Sequence, residues 1–143
     1  RFSPYILGEW YRAFLEVTQA HGLPADTRHI KLCDPTVESA AEACLELLSR
    51  QDRPTAIFGG NDVMAAGAMK AALRLGLRVP EDLAVIGFGN SETAAFTSPG
   101  LTTVEQHKAY CGQRGAQKLI DLLEGKRPVS EMVETELVLR GSA

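Results

Sequence analysis

PTAIFGGNDVMAAGAMKAALRLGLRVPEDLAVIGFGN, residues 54–90, contains two strands and the helix that joins them. TAIFGG is a short apolar run ending in two glycines, which reads as a strand with a sharp exit. Asn61-Asp62 then opens a helix, VMAAGAMKAALRL, which Gly76 terminates. LRVPED is a surface loop. LAVIGF is apolar without alternation, as in a strand buried on both faces of a parallel sheet.

The pattern extends in both directions. Upstream, Ile6, Trp10, Ala13, Phe14 and Val17 recur at helical spacing, and Gly22 and Pro24 stop that helix. HIKLC, residues 29–33, reads as a strand. Asp34-Pro35 begins a second helix with Val37, Ala40, Ala41, Cys44, Leu45 and Leu48 inward. Strand centres near Lys31, Ile57 and Val85 lie 26 and 28 residues apart, close to the repeat of about 30 expected of βαβ units. The expectation is an α/β fold: a parallel sheet with helices on both sides, a three-layer sandwich.

Downstream, residues 89–100 are small and polar and read as a loop or a loose helical turn. LTTVEQ is a short strand or connector. Residues 107–124 form a helix with Tyr110, Cys111, Leu119, Ile120 and Leu123 inward, ended by Gly125. A last strand spans Met132 to Leu139, with Val133, Thr135, Leu137 and Leu139 alternating against Glu134 and Glu136.

Composition narrows the function. The 143 residues are 45% hydrophobic and 23% charged, as in a globular domain. Fifteen Lys and Arg against eighteen Asp and Glu give a net charge of −3, the wrong sign for gripping DNA phosphates. Cys33, Cys44 and Cys111 show no metal or redox spacing and are expected as reduced thiols. No apolar run spans a bilayer and the N-terminus does not resemble a signal peptide, so no membrane partner is expected.

The inventory also argues against catalysis. GFGN is no dinucleotide fingerprint, and neither a phosphate-binding G-x-x-x-x-G-K-[ST] nor a G-x-S-x-G elbow occurs. His21, His29 and His107 lie in unrelated segments: a helix end, a strand start and a helix start. No catalytic residue, metal site or cofactor is expected.

Ligands of open parallel sheets bind beyond the carboxyl ends of the strands. Two such ends are conspicuous: Gly59-Gly60-Asn61-Asp62 and Gly87-Phe88-Gly89-Asn90. Paired amide donors and acceptors there suit the hydroxyls of a sugar. Asn-Asp at a helix start is also an ordinary cap, a reading that stays open.

Residues 54–90 resemble the central stretch of LacI/GalR transcription regulators, in which an Asn-Asp pair, an Ala/Gly/Met-rich helix and a G-L-x-V-P-x-D loop lead to a V-x-G-[FY]-D strand. SPGLTTVEQ resembles the family's P-x-L-T-T-V connector. RPVSEMVETELVLRGS resembles its closing strand, with an Arg-x-Ser end at Arg140 and Ser142. The resemblance covers nearly all of residues 36–143 in consistent order.

The resemblance implies an incomplete two-lobed domain of periplasmic-binding-protein-like type. Residues 1–100 would be most of the C-terminal lobe, and residues 101–143 the crossover with the returning helix and strand of the N-terminal lobe. The family's effector lies between the lobes and alters DNA affinity through a separate headpiece, absent from this chain. A cytoplasmic repressor acting as a homodimer on operator DNA is implied.

By the same resemblance, Asn61 takes the role of an effector-binding Asn. Asp62, Gly89, Asn90 and Trp10 join it as effector-site candidates. Gly89 stands where the family usually has a sugar-binding Asp. GFG resembles the gluconate-type branch, which makes a sugar acid the preferred effector class. The family's ligand-binding Arg is replaced by Tyr5 or Ile6, with Arg1 or Arg12 as the candidate stand-ins. For Trp10, packing of its helix against the core is the preferred reading over stacking on a ligand. Met64, Ala65, Ala66 and Met69, with Phe96 and Thr97 of the 93–97 segment, are the dimer-interface candidates. Two alternatives share the α/β pattern: a periplasmic sugar-binding protein of a transporter, and a flavodoxin-like enzyme.

Overall fold

The computed structural model describes residues 4–23 and 27–143. Its described elements are α1 (Pro4–Ala20), a 3-10 turn (Thr27–His29), α2 (Val37–Leu48), β1 (Ala56–Phe58), α3 (Asp62–Arg74), β2 (Ala84–Phe88), α4 (Glu92–Phe96), β3 (Thr102–Glu105), α5 (Lys108–Leu123) and β4 (Glu136–Val138). The four strands form one sheet in the order β1-β2-β3-β4. β1, β2 and β3 run parallel, with Ile57 opposite Val85 and Gly87 opposite Thr103. β4 closes the sheet antiparallel to β3.

The core forms between β2 and α3. Val85 and Leu83 are fully buried beside Ala65, Ala68, Ala71 and Ala72, with Leu101 and Ala94 closing one end. The alanines let α3 lie close to the strands, and α2 covers its outer side. Gly67 sets that second spacing: a Cβ there would stand 2.6 Å from both the Ala40 Cβ and the Val37 carbonyl oxygen. In α2, the inward stripe read from sequence is buried at Ala40, Ala41, Cys44 and Leu48, and Leu47 joins it. Burial pushes the Cys44 thiol up to about 11.

Several expectations are corrected. HIKLC is not a strand: a 3-10 turn ends at His29, and residues 30–34 make no ladder. Leu32 is 81% exposed, and Lys31 pairs with Glu46 of α2. An apolar run becomes a strand only where a neighbouring edge takes its backbone groups, and β1 pairs only with β2 among the described residues. The second helix starts at Val37, because Thr36 and not Asp34 supplies the cap, accepting the Ser39 N–H. Ala13, Phe14 and Val17 of α1 are exposed, so that face is not a core face. Pro24, Arg1 and the side chains of Tyr5 and Ile6 fall outside the described residues.

The C-terminal segment departs most. No residue of α5 is buried, and Tyr110, Cys111, Leu119, Ile120 and Leu123, expected inward, all face outward. The stripe has the right period but no surface opposite it among the described residues. Polar contacts tie α5 down instead: Glu131 accepts from Arg114 and Tyr110 and pairs with Lys118. The last strand is only three residues long, and Met132 is 91% exposed. Val138, opposite Thr103, is more buried than Leu137 or Leu139, reversing the expected alternation.

Candidate functional site

The carboxyl ends of β1 and β2 lie side by side, because the Gly59 N–H donates to the Ile86 carbonyl. Gly87 faces α3, so Phe88 projects from the opposite side of the sheet. There it meets Trp10 of α1, with ring centroids 5.4 Å apart, and Phe58, at 6.3 Å edge-on. The Trp10 ring also lies 3.5 Å from where a Cβ on Gly60 would stand. An aromatic wall thus borders Asn61 and the turn after Phe88.

Asn61 is half-buried and caps α3, its Oδ1 accepting the Met64 N–H at 2.8 Å. The ordinary reading of this residue therefore holds. Its amide Nδ2 has no partner among the described residues and can still donate outward. Asp62 is 1% exposed. Its Oδ1 accepts from the Thr103 hydroxyl at 2.5 Å and its Oδ2 from the Ser91 N–H at 2.6 Å. It binds α3, β3 and the start of α4 together beneath the site. A Cβ on Gly87 would strike Asp62 Oδ1 at 2.5 Å, which accounts for glycine in mid-strand.

Gly89 is buried, with φ of 121°, a backbone region that glycine alone adopts readily. Asn90 follows in the left-handed region, with φ of 45°. Its side-chain amide is used on both sides: Nδ2 donates to Glu105 at 2.8 Å, and Oδ1 accepts from Arg140 at 2.8 Å. Arg140 also donates to the Leu101 carbonyl. The Asn90 amide, together with the His107 N–H, holds the Glu105 carboxyl below the usual carboxylate range. Sequence reasoning missed Glu105 and saw Arg140 only as part of the closing Arg-x-Ser end, since they lie 15 and 50 residues from Asn90. Ser142, the last residue of that end, is buried, accepts the Thr102 N–H and donates to the Val85 carbonyl.

The rings of His21 and His29 meet backbone carbonyls. The His21 ring donates to the Val17 carbonyl at the end of α1, and His29 ends the 3-10 turn rather than opening a strand. Among the described residues no group of His, Cys, Asp and Glu could hold a metal.

Of the interface candidates, Ala65 is 0% exposed and belongs to the core, so its side chain cannot meet a partner. Met69 is 8% exposed and, with Leu73, Leu77, Val79 and Pro99, lines a groove. Met64 and Ala66 are half-exposed, Thr97 lines the same groove, and Phe96 is 85% exposed.

A parallel sheet carrying polar side chains and an aromatic wall at its carboxyl edge is the arrangement at which open α/β sheets hold small molecules. The chain belongs to the periplasmic binding protein-like domain family, which matches residues 4–143, in the form carried by LacI-family regulators. The transcriptional repressor PurR of Photorhabdus laumondii is 39% identical over 127 residues, 89% of this chain and 37% of that protein. The repressor CytR of Escherichia coli is 36% identical, over 92% of this chain and 39% of its own length. The transcriptional regulator CelR, solved with cellobiose, superposes with a TM-score of 0.82 at 34% identity, over 90% of this chain and 40% of that one. The chain thus spans less than half of the relatives it matches.

Proposed function

We propose that the chain is the effector-sensing part of a cytoplasmic DNA-binding transcription repressor, which holds a small sugar acid in a cleft and works as a homodimer. One observation carries this reading: Asn61, Gly89, Asn90 and Trp10 converge at the carboxyl ends of two adjacent parallel strands. Such an edge binds a polyhydroxylated molecule without transforming it. The relatives named repressors, and the cellobiose held by CelR, support the class.

Residues 1–100 supply one wall of the cleft, and residues 101–143 return to the other lobe. The uncovered apolar stripe of α5 fits this division, since Leu119, Ile120 and Leu123 await a sheet. The effector shifts the balance of lobe arrangements by binding one more tightly than the other. DNA is contacted through a headpiece outside this chain. The dimer seam follows the exposed side of α3 through Ala66 and the groove beside Phe96 and Thr97.

The acid preference rests on Gly89. With no side chain there, the site has one carboxylate fewer to repel an anion, and the nearby Asp62 and Glu105 are engaged by hydrogen bonds. Calorimetric titration of the complete regulator with gluconate, a neutral sugar and a purine tests it. Gluconate is expected to bind tightly. Tight binding of the neutral sugar or purine, with no heat from gluconate-like acids, rejects the reading.

A further inference from the structure

We propose that Lys108 is the specificity-determining cation of this site, the group that pairs with the carboxylate of the effector; the inference rests on the sugar-acid reading above. Lys108 follows β3 and lines an open depression with Asn90, Glu105, His107, Ala109 and Tyr110. Its ammonium reaches toward Gly89. The Lys108 Nζ and the Gln106 Oε1 each stand 3.8 Å from the position a Cβ on Gly89 would take, and Asp62 Oδ2 stands 3.6 Å from it. An acidic side chain at position 89 would run into the ammonium and neutralise it. Glycine leaves the ammonium clear of any side chain from that position, so it faces the open depression unneutralised.

The neighbouring charges are already engaged. Asp62 is bonded to Thr103 and Ser91, Glu105 to Asn90 and the His107 N–H, and Arg140 to Asn90 and the Leu101 carbonyl. Lys108, by contrast, makes no hydrogen bond or ion pair among the described residues, beyond a longer-range pull on Glu105. Its place also opposes helix stability. It opens a helix of 16 residues whose first turn holds no acid, and a cation at that end is disfavoured. Fold stability therefore does not require the ammonium.

The test titrates the complete regulator with gluconate, galactonate and neutral glucose, as wild type, Lys108→Met and Lys108→Arg. Circular dichroism and melting are expected to be unchanged in both variants. Losing one charge-assisted contact weakens acid binding roughly 10- to 100-fold. Lys108→Met is therefore expected to lose gluconate or galactonate affinity by that factor while any glucose affinity stays constant, and Lys108→Arg to restore most of the loss. Equal acid binding by wild type and Lys108→Met overturns the role of Lys108 and leaves the sugar-acid reading standing. Parallel loss of acid and glucose binding overturns it too, because charge is then not what the residue reads. A wild type giving no heat with either acid rejects the sugar-acid reading and the role of Lys108 with it.

Discussion

Replacing Asp62 separates a structural carboxylate from a ligand-binding one. The residue is 1% exposed and both its oxygens are engaged. In Asp62→Ala, the Thr103 hydroxyl and the Ser91 N–H lose their acceptors, and the space beside Gly87 and Leu101 empties. An orphaned buried polar group costs about 1–3 kcal/mol. Thr103 is fully buried while Ser91 sits at a more open turn, so the sum is about 2–4 kcal/mol. Asp62→Asn keeps one oxygen acceptor and the volume, and should cost about half as much. Against a total stability of about 5–15 kcal/mol, the alanine loss is large. Urea unfolding followed by circular dichroism reads it as a lower midpoint at unchanged slope. A loss in Asp62→Ala below ~1 kcal/mol, or an Asn variant as costly as the Ala variant, refutes the reasoning. Full stability with weakened effector binding would instead make Asp62 a ligand contact.

Three further outcomes are expected. Gly67→Ala gains up to about 1 kcal/mol of helix propensity. Its Cβ would nevertheless crowd Ala40 and the Val37 carbonyl at 2.6 Å, so a net loss of about 1–2 kcal/mol is expected in thermal melts, overpacking outweighing propensity; a stabilised variant would contradict the close α2–α3 approach. Glu131 is held down to about 2, first by its hydrogen bond from Arg114 and then by Tyr110. A depressed carboxylate stabilises the fold above its ordinary value of 4.5 and stops doing so as pH falls toward about 2. Melting temperatures measured from pH 6 to pH 2 should therefore fall less steeply over that window in Glu131→Gln than in wild type. Ala66→Glu places a charge on the proposed seam and is expected to give monomers, while an unchanged sedimentation coefficient counts against the seam.

Much of this was legible in the chain itself. Residues 54–90 carry their own instructions: the Asn61 cap, an alanine-rich helix ended at Gly76, and an apolar strand in LAVIGF. Local chemistry and periodicity suffice there, because cap, helix and strands are neighbours in sequence. The Asn61 and Gly89 positions were visible for the same reason, each standing at the end of a recognisable strand. HIKLC was misread because an apolar run does not state whether a free edge awaits it. The α5 stripe had the right period, yet periodicity names a face and never its partner.

Tertiary structure alone decided the wiring of the site. Asp62 looked like a candidate ligand or a cap until Thr103, 41 residues away, and Ser91 proved to occupy its oxygens. Asn90 is clamped by Glu105 and Arg140, and the Lys108 ammonium stands beside Gly89, through pairings between β2, β3 and β4 that no local pattern encodes. Helices and turns are specified within a few residues by backbone geometry and capping. Which buried polar group meets which depends on strands joined across the sheet, and that is settled only once the chain has folded.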